Sequence, residues 1–163
     1  MWKRILFTIL AALASILLPA CSVTPAPQSE TRSMTDDVGR TISAPIHPTR
    51  IVSLTYGTDE ILTSLLPSAR IAAYSKYAGD DGISFLTKDE VAKVGQRVDM
   101  EPEHILSLAP DLVIASTSTP MQTVEVLTHS GIPVYVSAIP TTVEEMKEKV
   151  RGVAKAVHEE EKG

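Results

Sequence analysis

The order of short apolar segments and helical patterns constrains the fold of this chain more than any other feature of its sequence. Each apolar segment is three or four residues long, and a stretch with helical spacing separates it from the next. The segments are Ile51–Leu54, Ile71–Tyr74, Leu112–Ala115 and Val134–Val136. Segments this short are typical of strands buried on both faces, and intervening helices favour parallel connections. The sequence therefore predicts an α/β fold in which helices flank a Rossmann-like parallel sheet.

A hairpin and a short helix have recognisable turn and capping signals. The segment Thr35–Ile42 alternates around an Asp/Gly turn, which predicts a small N-terminal β-hairpin before the sheet. The segment Met100–Glu103 predicts the start of a helix that continues through Leu108, because its carboxylates lie where the helix dipole favours them.

The two last helices have signals of the same kind. Thr119–Gln122 places a capping residue before proline and glutamine, so we expect a helix from there to about Ser130, ended by Gly131 in a left-handed conformation. Thr142 and Glu145 repeat the capping pattern for the last helix. Its apolar residues recur at spacings of three and four, which predicts a buried core face. They are Val143, Met146, Val150, Val153 and Val157.

The N-terminus predicts export from the cytoplasm. Lys3-Arg4 precedes an apolar run, Ile5–Leu18, that is shorter than the roughly 20 residues a membrane-spanning helix needs. The run ends at Leu18-Pro19-Ala20-Cys21, which resembles the signal of a bacterial lipoprotein, whose cysteine thiol carries the lipid. We therefore expect residues 1–20 to be a signal peptide and Cys21 to be lipidated. A plain export signal or a retained anchor with an incidental cysteine are the alternatives.

A tether and one domain are expected after the signal. Residues 21–33 are rich in Ser, Thr, Pro and Gln and almost free of bulky apolar side chains, which predicts a flexible tether. Residues 34–163 are then enough for a single domain with a layered core.

Composition and motifs exclude several classes of function. A net charge of −5 and few aromatic residues, 4%, give no basic field for nucleic acid and no large stacking surface. Signatures of nucleophilic, phosphate-binding and zinc-dependent catalysis are missing from the sequence, so it predicts neither an enzyme nor a resident cofactor. The histidines lack ligand-type spacing, and we expect them to be surface residues rather than part of a metal site. They are His47, His104, His129 and His158.

Hydroxyl-rich loops follow the predicted strands. Ligands of open α/β sheets settle at the carboxyl ends of the strands, where helix N-termini favour anionic or polar groups. The loops therefore predict a ligand site, although ordinary caps and turns account for most of their Ser and Thr residues. The loops are Thr55–Thr58, Ser75–Tyr77, Ser116–Ser118 and Ile139–Thr141.

Several segments are informative through their order as well as their composition. They are Thr35–Arg40, Pro48–Leu54, Thr58–Ile61, Ser75–Tyr77, Val94-Gly95, Glu103–Ile114 and Gly131–Val134. In this order they resemble the substrate-binding proteins of ABC importers for iron siderophores, haem and cobalamin. The most specific segment is Glu103–Ile114, with the pattern Glu-x-Ile-Leu-x-Leu-x-Pro-Asp-Leu-Val-Ile.

The resemblance has implications for the architecture. Members of that family consist of two α/β lobes joined by one long helix, and the ligand lies between lobes that move little. Residues 34–163 are similar to the N-terminal lobe of such a class III substrate-binding protein. His158–Gly163 corresponds to the region just before the joining helix, so the C-terminal lobe is expected to be absent from this chain.

The resemblance also implies roles for individual residues. Glu103 matches a glutamate with which the family docks onto arginines of the permease, whereas Glu60 is interpreted as a first-turn helix residue. Arg97 suits an anionic ferric siderophore, Gln96 is not the Tyr or Met that haem binders often use, and Tyr77 aligns with a tyrosine of cobalamin binders. The full set of expected ligand-binding residues is Thr55, Tyr56, Tyr77, Gln96, Arg97 and Ser116.

The expected function is therefore that of an extracytoplasmic, lipid-anchored solute-binding lobe of an ABC importer for a metal chelate. A ferric siderophore is the expected cargo, with cobalamin or haem as alternatives, and the expected partners are the permease and the membrane. A single-lobe, non-transporting or vestigial partner-binding lipoprotein is the alternative function.

Overall fold

A computed structural model describes residues 30–163. The strands are β1 (Thr31–Thr35), β2 (Thr41–Pro45), β3 (Ile51–Ser53), β4 (Ile71–Ser75), β5 (Arg97–Val98), β6 (Leu112–Ser116) and β7 (Val134–Ser137). The α-helices are α1 (Tyr56–Leu65), α2 (Lys88–Val94), α3 (Pro102–Ser107), α4 (Met121–His129) and α5 (Val143–Ala156), with 3₁₀ turns at Ser68–Arg70 and Glu160–Lys162.

Five strands form a parallel sheet in the order β5-β4-β3-β6-β7. The chain adds strands in one direction from β3 to β5 and then returns to the other side of β3 with β6 and β7. The order of the strands therefore reverses between β3 and β6, which is the position where open α/β sheets form a ligand crevice. The α/β fold class with a parallel sheet and a separate hairpin is confirmed.

Two apolar clusters lie on opposite faces of this sheet, because successive side chains of a strand point to opposite faces. Leu112 and Ile114 contribute to one cluster, which includes Leu62 of α1 and Val153 of α5. Val113 and Ala115 contribute to the other cluster, which includes Ile105 of α3 and Leu127 of α4. The helices thus pack in two layers around the sheet.

The hairpin turn covers the edge strand β7. Arg40 forms an ion pair with Asp36, in which Nε and Nη2 donate to Oδ2 at 2.9 and 2.7 Å, and the guanidinium also donates to the carbonyl oxygen of Val134. The Asp37 N–H donates to the carbonyl oxygen of Val136, and Gly39 takes the positive φ of 83° that the turn requires. Backbone groups of an edge strand are thereby satisfied within the chain.

The predicted start of the folded domain is wrong by a few residues. Strand β1 begins at Thr31, within the predicted tether, and pairs with β2 in an antiparallel register from Thr31↔Pro45 to Thr35↔Thr41. The threonines and serine of this strand are exposed, whereas Met34 is buried. A strand with one solvent face needs few apolar side chains, so its composition is similar to that of a linker.

The predicted signal peptide, Cys21 and the remainder of the predicted tether lie outside the described residues. Within residues 30–163, no helix is long and apolar enough to cross a membrane.

The predicted start of α4 also needs a correction. Pro120, not Thr119, occupies the N-cap position, and no side chain caps the helix. The Thr119 hydroxyl instead accepts a hydrogen bond from the Ser116 N–H, at 3.2 Å, because it closes the turn that follows β6. The prediction that Gly131 ends this helix in a left-handed conformation is confirmed, since its φ is 82°.

The apolar stripe of α5 is core along only part of its length. Val153 and Val157 are fully buried, but Val143 is 73% exposed and Met146 is 47% exposed. The prediction that the whole stripe is core is therefore wrong for the first turns of the helix. Met146 and Val150 instead line a cavity between α5 and α1. The Thr142 cap is confirmed, because its hydroxyl accepts from the Glu145 N–H.

Candidate ligand-binding site

A cavity of about 620 Å³ opens beside the carboxyl ends of β3 and β6, where the strand order reverses. Its volume lies within the range of small-molecule sites in proteins, about 300–1,000 Å³. Helices α1 and α5 form its sides, and the loops after β6 and β7 contribute Ser118, Ile139 and Pro140. The cavity is therefore at the position that the sheet topology predicts for a ligand.

The junction between β3 and α1 presents free backbone donors to this cavity. The Thr55 side chain does not cap α1. Its hydroxyl instead pairs with that of Thr58 at 2.9 Å, and Thr58 also pairs with Ser53 at 2.6 Å. The N–H groups of Tyr56 and Gly57 begin the helix, where intrahelical acceptors do not exist. The positive end of the α1 dipole thus faces the cavity.

The end of β6 contributes hydroxyl groups. Ser116 is buried, and its Oγ lies 2.7 Å from Oγ of the exposed Ser118. The Ser118 N–H also donates to the Ser116 Oγ at 3.2 Å, so the two residues form a compact turn. Ser118 is the member of this pair with solvent access and can offer its hydroxyl to a ligand.

A buried carboxylate holds α1 against β4 beneath the site. Asp59 is fully buried, and its two oxygens accept from the Ser75 N–H at 3.0 Å and the Ser75 hydroxyl at 2.6 Å. Desolvation raises the pKa of Asp59 from 3.8 to about 6, although the hydrogen bonds oppose this shift. Asp59 is thus a positioning residue for the first turn of α1.

A lysine that the sequence analysis did not select lies at the base of the cavity. Lys149 of α5 is only 7% exposed, and its Nζ lies 3.6 Å from the position that a Cβ atom would take on Gly57. Burial lowers the pKa of Lys149, while the charge of Asp37 opposes this effect. Lys149 lies three residues after Met146 and four before Val153. This spacing places it on the apolar face of α5, and that was the sequence signal that could have identified it.

Apolar side chains form the rim of the cavity. Phe85 is 91% exposed and Tyr56 is 50% exposed, and Ile139 and Met146 are exposed beside them. Glu60 of α1 accepts a hydrogen bond from the Phe85 N–H at 3.0 Å, which fixes the loop that carries Phe85. Glu60 is thus a helix residue, as predicted, but it lies one turn beyond the first and holds the rim.

The structure brings three of the predicted ligand-binding residues together and separates the others. Thr55, Tyr56 and Ser116 line the cavity, whereas Tyr77, Gln96 and Arg97 do not.

The three separated residues lie on the β4–β5 side of the sheet. The Lys76 ammonium lies 5.2 Å from the centroid of the Tyr77 ring. The carbonyl oxygen of Gln96 accepts from the Tyr74 N–H, and Arg97 donates to the carbonyl oxygen of Ala78. The contacts of Gln96 and Arg97 hold the outer strand β5, and the contact between Lys76 and Tyr77 lies outside the cavity.

The predicted docking residue lies on the surface. Glu103 is exposed in the first turn of α3, whose N-terminal dipole stabilises a carboxylate. This position leaves the Glu103 carboxylate accessible to a partner.

The histidines lie at the surface of the described part of the chain. All four are exposed, and the rings of His47 and His158 make an edge-to-face contact at 4.7 Å. Among residues 30–163, no group of three His, Cys, Asp or Glu side chains is arranged to hold a metal ion.

Residues 51–163 match the periplasmic binding protein family, and the chain therefore belongs to this family. YhfQ of Bacillus subtilis (strain 168), which is named as an ABC transporter substrate-binding lipoprotein, is 33% identical over 121 residues. The matched segment covers 71% of this chain and 37% of YhfQ.

Two solved structures share the fold. The haem-binding protein HmuT has a TM-score of 0.67 at 20% identity, over 84% of this chain and 42% of HmuT. Staphylococcus aureus SirA, complexed with staphyloferrin B, has a TM-score of 0.63 at 24% identity, over 81% of this chain and 44% of SirA. The chain thus spans less than half the length of each protein compared.

Proposed function

We propose that this chain is an extracytoplasmic solute-binding lobe of an ABC importer and that it holds a metal chelate without chemical change. The observation that carries the proposal is the cavity of about 620 Å³ at the reversal of strand order, with Thr55, Tyr56 and Ser116 in its lining. Membership of the periplasmic binding protein family supports a binding role.

A ferric siderophore is the proposed cargo, with haem and cobalamin as the alternatives. Free amides at the start of α1, the hydroxyl of Ser118 and the buried cation Lys149 favour a ligand with negative charge and several acceptor atoms. SirA, which shares the fold, was solved with staphyloferrin B, and this likeness is consistent with the proposed cargo.

We also propose how the chain is placed in the importer. Lipid on Cys21 would hold it at the outer face of the membrane, and YhfQ, its relative, is named as a lipoprotein. The exposed Glu103 would dock onto basic residues of the permease. We thus propose a lipid anchor at Cys21, a docking role for Glu103, and a permease as the partner.

Thermal unfolding of the full chain in mild detergent tests the cargo. Ferric siderophores, haem and cobalamin are each added at ~100 μM, because a ligand that binds the native state raises the midpoint by mass action even when binding is weak. Metal-free siderophores serve as matched controls for each ferric chelate.

The proposal expects a rise in midpoint with a ferric siderophore. A rise with haem or cobalamin alone would contradict the siderophore cargo and retain the binding function. If no chelate changes the midpoint, the chain is not a chelate receptor, and the alternative of a non-transporting partner-binding lipoprotein is favoured.

A further inference from the structure

We propose that Lys149 and the N-terminus of α1 form an anion-binding point inside the cavity, and that this point takes a carboxylate or similar oxyanion on an apolar or aromatic ligand. The inference rests on the proposed binding function and specifies the chemistry of the ligand. The ligand-binding residues predicted from the sequence do not include Lys149.

The first step is the position of the ammonium group. The side chain of Lys149 crosses from α5 towards α1, and its Nζ lies 3.6 Å from the position of a Cβ atom on Gly57. Because glycine has no side chain, there is room beside the N–H group of Gly57. A small anion there would meet the ammonium, the first N–H groups of α1 and the positive end of the helix dipole together.

The second step is that Lys149 lacks a partner in the part of the chain that the structure describes. Only 7% of Lys149 is exposed. Its Nζ has neither a hydrogen bond nor an ion pair with residues 30–163, although the more distant charge of Asp37 favours its protonated form. Its Nζ still has access to the cavity, since Arg32 alone among residues 30–163 has fully buried side-chain N or O atoms without a partner. An anionic ligand would give this largely desolvated ammonium an ion-pair partner.

The third step concerns the other charged groups around Lys149. Asp37 accepts from the Tyr135 hydroxyl and from the Ala138 N–H. Glu60 accepts from the Phe85 N–H. Lys162 pairs with Glu159 at 2.8 Å. Hydrogen bonds from neutral donors leave the charges of Asp37 and Glu60 in place, and the Asp37 charge favours the protonated form of Lys149. Within residues 30–163, Lys149 is therefore the basic side chain of the cavity lining that has no ion pair and remains available for a ligand.

The fourth step concerns the body of the ligand. The rim of the cavity presents Tyr56, Phe85, Ile139 and Met146 with exposed apolar surface. A purely polar anion would leave this surface in water, whereas an anion attached to an apolar or aromatic group would cover it. The arrangement thus favours an amphiphilic anion, oriented with its charge towards α1.

Benzoate and benzamide test this inference, because they have nearly the same shape and differ in charge at pH 7. Each is titrated into the isotope-labelled full chain in detergent at constant ionic strength, and the amide resonances of Tyr56 and Gly57 are followed by NMR. Lys149→Met removes the proposed cation, and Lys147→Met removes an exposed lysine of the same helix as the matched control.

Benzoate is expected to shift both amide resonances saturably and to bind about tenfold or more tightly than benzamide. Lys149→Met should remove this difference, and Lys147→Met should preserve it. Equal binding of benzoate and benzamide, or an unchanged preference in Lys149→Met, would overturn the inference.

The chelate screen separates this inference from the proposed function. A chelate that binds wild type and Lys149→Met equally would overturn the anion point and leave the binding function intact. A benzoate preference that depends on Lys149, without binding of any chelate, would support the anion point and overturn the metal-chelate cargo.

Discussion

The hydroxyl of Tyr135, in the edge strand β7, donates a hydrogen bond to Oδ1 of Asp37 in the hairpin turn. The other Asp37 oxygen accepts from the Ala138 N–H, just beyond β7. Burial is the main cause that raises the pKa of Tyr135, and the hydrogen bond to Asp37 adds to it. The phenol is therefore protonated at neutral pH and is a stable donor that joins the hairpin to the sheet.

Gly152 of α5 tests this contact, because a Cβ atom there would overlap the Tyr135 hydroxyl and lie 3.1 Å from Oδ1 of Asp37. Alanine normally stabilises a helix interior by about 1 kcal/mol relative to glycine. We expect Gly152→Ala to lower the free energy of unfolding by about 1–3 kcal/mol instead, because of the overlap. Urea denaturation measures the change. In a Tyr135→Phe background, Gly152→Ala should lower the free energy of unfolding by less. If Gly152→Ala stabilises the parent chain, the contact is contradicted.

The pKa of Asp59 predicts a pH dependence of stability. Desolvation raises this pKa in the folded state to about 6, from 3.8. The folded state therefore binds this proton more tightly, so the stabilisation is complete below about pH 4 and is lost as pH rises through about 6. The loss corresponds to about 2–3 kcal/mol.

Asp59→Asn separates this effect from that of the other carboxylates. The amide can accept from the Ser75 N–H and donate to the Ser75 hydroxyl, but it does not titrate. Urea denaturation at several pH values between 4 and 7.5 should give a smaller decline in stability for the variant. Parallel profiles for variant and wild type would show that Asp59 does not titrate as described.

A pair of identical substitutions in α5 tests the division of its apolar stripe. Val153→Ala removes methyl groups from a fully buried position, and we expect a loss of about 2 kcal/mol in the free energy of unfolding. Val143→Ala makes the same change at a position that is 73% exposed, and its effect should stay within about 0.5 kcal/mol. Chemical denaturation compares the two. Similar losses at both positions would mean that the first turns of α5 are packed in the core.

Reversal of charge at Glu103 tests the proposed docking role. In cells whose chelate uptake depends on this chain, Glu103→Arg should reduce uptake by about tenfold or more, because like charges would meet at the permease. The ligand-induced thermal shift should not change. Glu148→Arg reverses an exposed glutamate of α5 and is the matched control. Normal uptake with weakened ligand binding would assign Glu103 to the ligand site instead.

The sequence predicted the sheet well because buried parallel strands leave a local apolar signal. Four of its five strands overlap the predicted segments, but β5 has only two residues, Arg97–Val98, and was missed. Helix α2 was also missed, although Thr87 and Glu90 form a capping box at its start. A threonine followed three residues later by a glutamate is a sequence pattern that predicts a capping box.

The site was predicted less completely because it depends on strand order. Thr55 follows β3, Ser116 is the last residue of the adjacent strand β6, and both line the cavity, whereas Arg97 lies in the outer strand β5. Lys149 was missed because its role depends on how α5 lies against Gly57. Local spacing shows that a lysine interrupts an apolar stripe, but the packing of two distant helices determines what that lysine faces.

The most direct test of ligand binding between β3 and β6 compares two tyrosines. Isothermal titration with the chelate that gives the largest thermal shift measures the dissociation constants of the full chain, Tyr56→Ala and Tyr77→Ala. Tyr56 lines the cavity and Tyr77 lies outside it. We predict that Tyr56→Ala weakens binding by about tenfold or more and that Tyr77→Ala changes it by less than about twofold. Loss of binding in Tyr77→Ala with normal binding in Tyr56→Ala would contradict the assignment of the cavity.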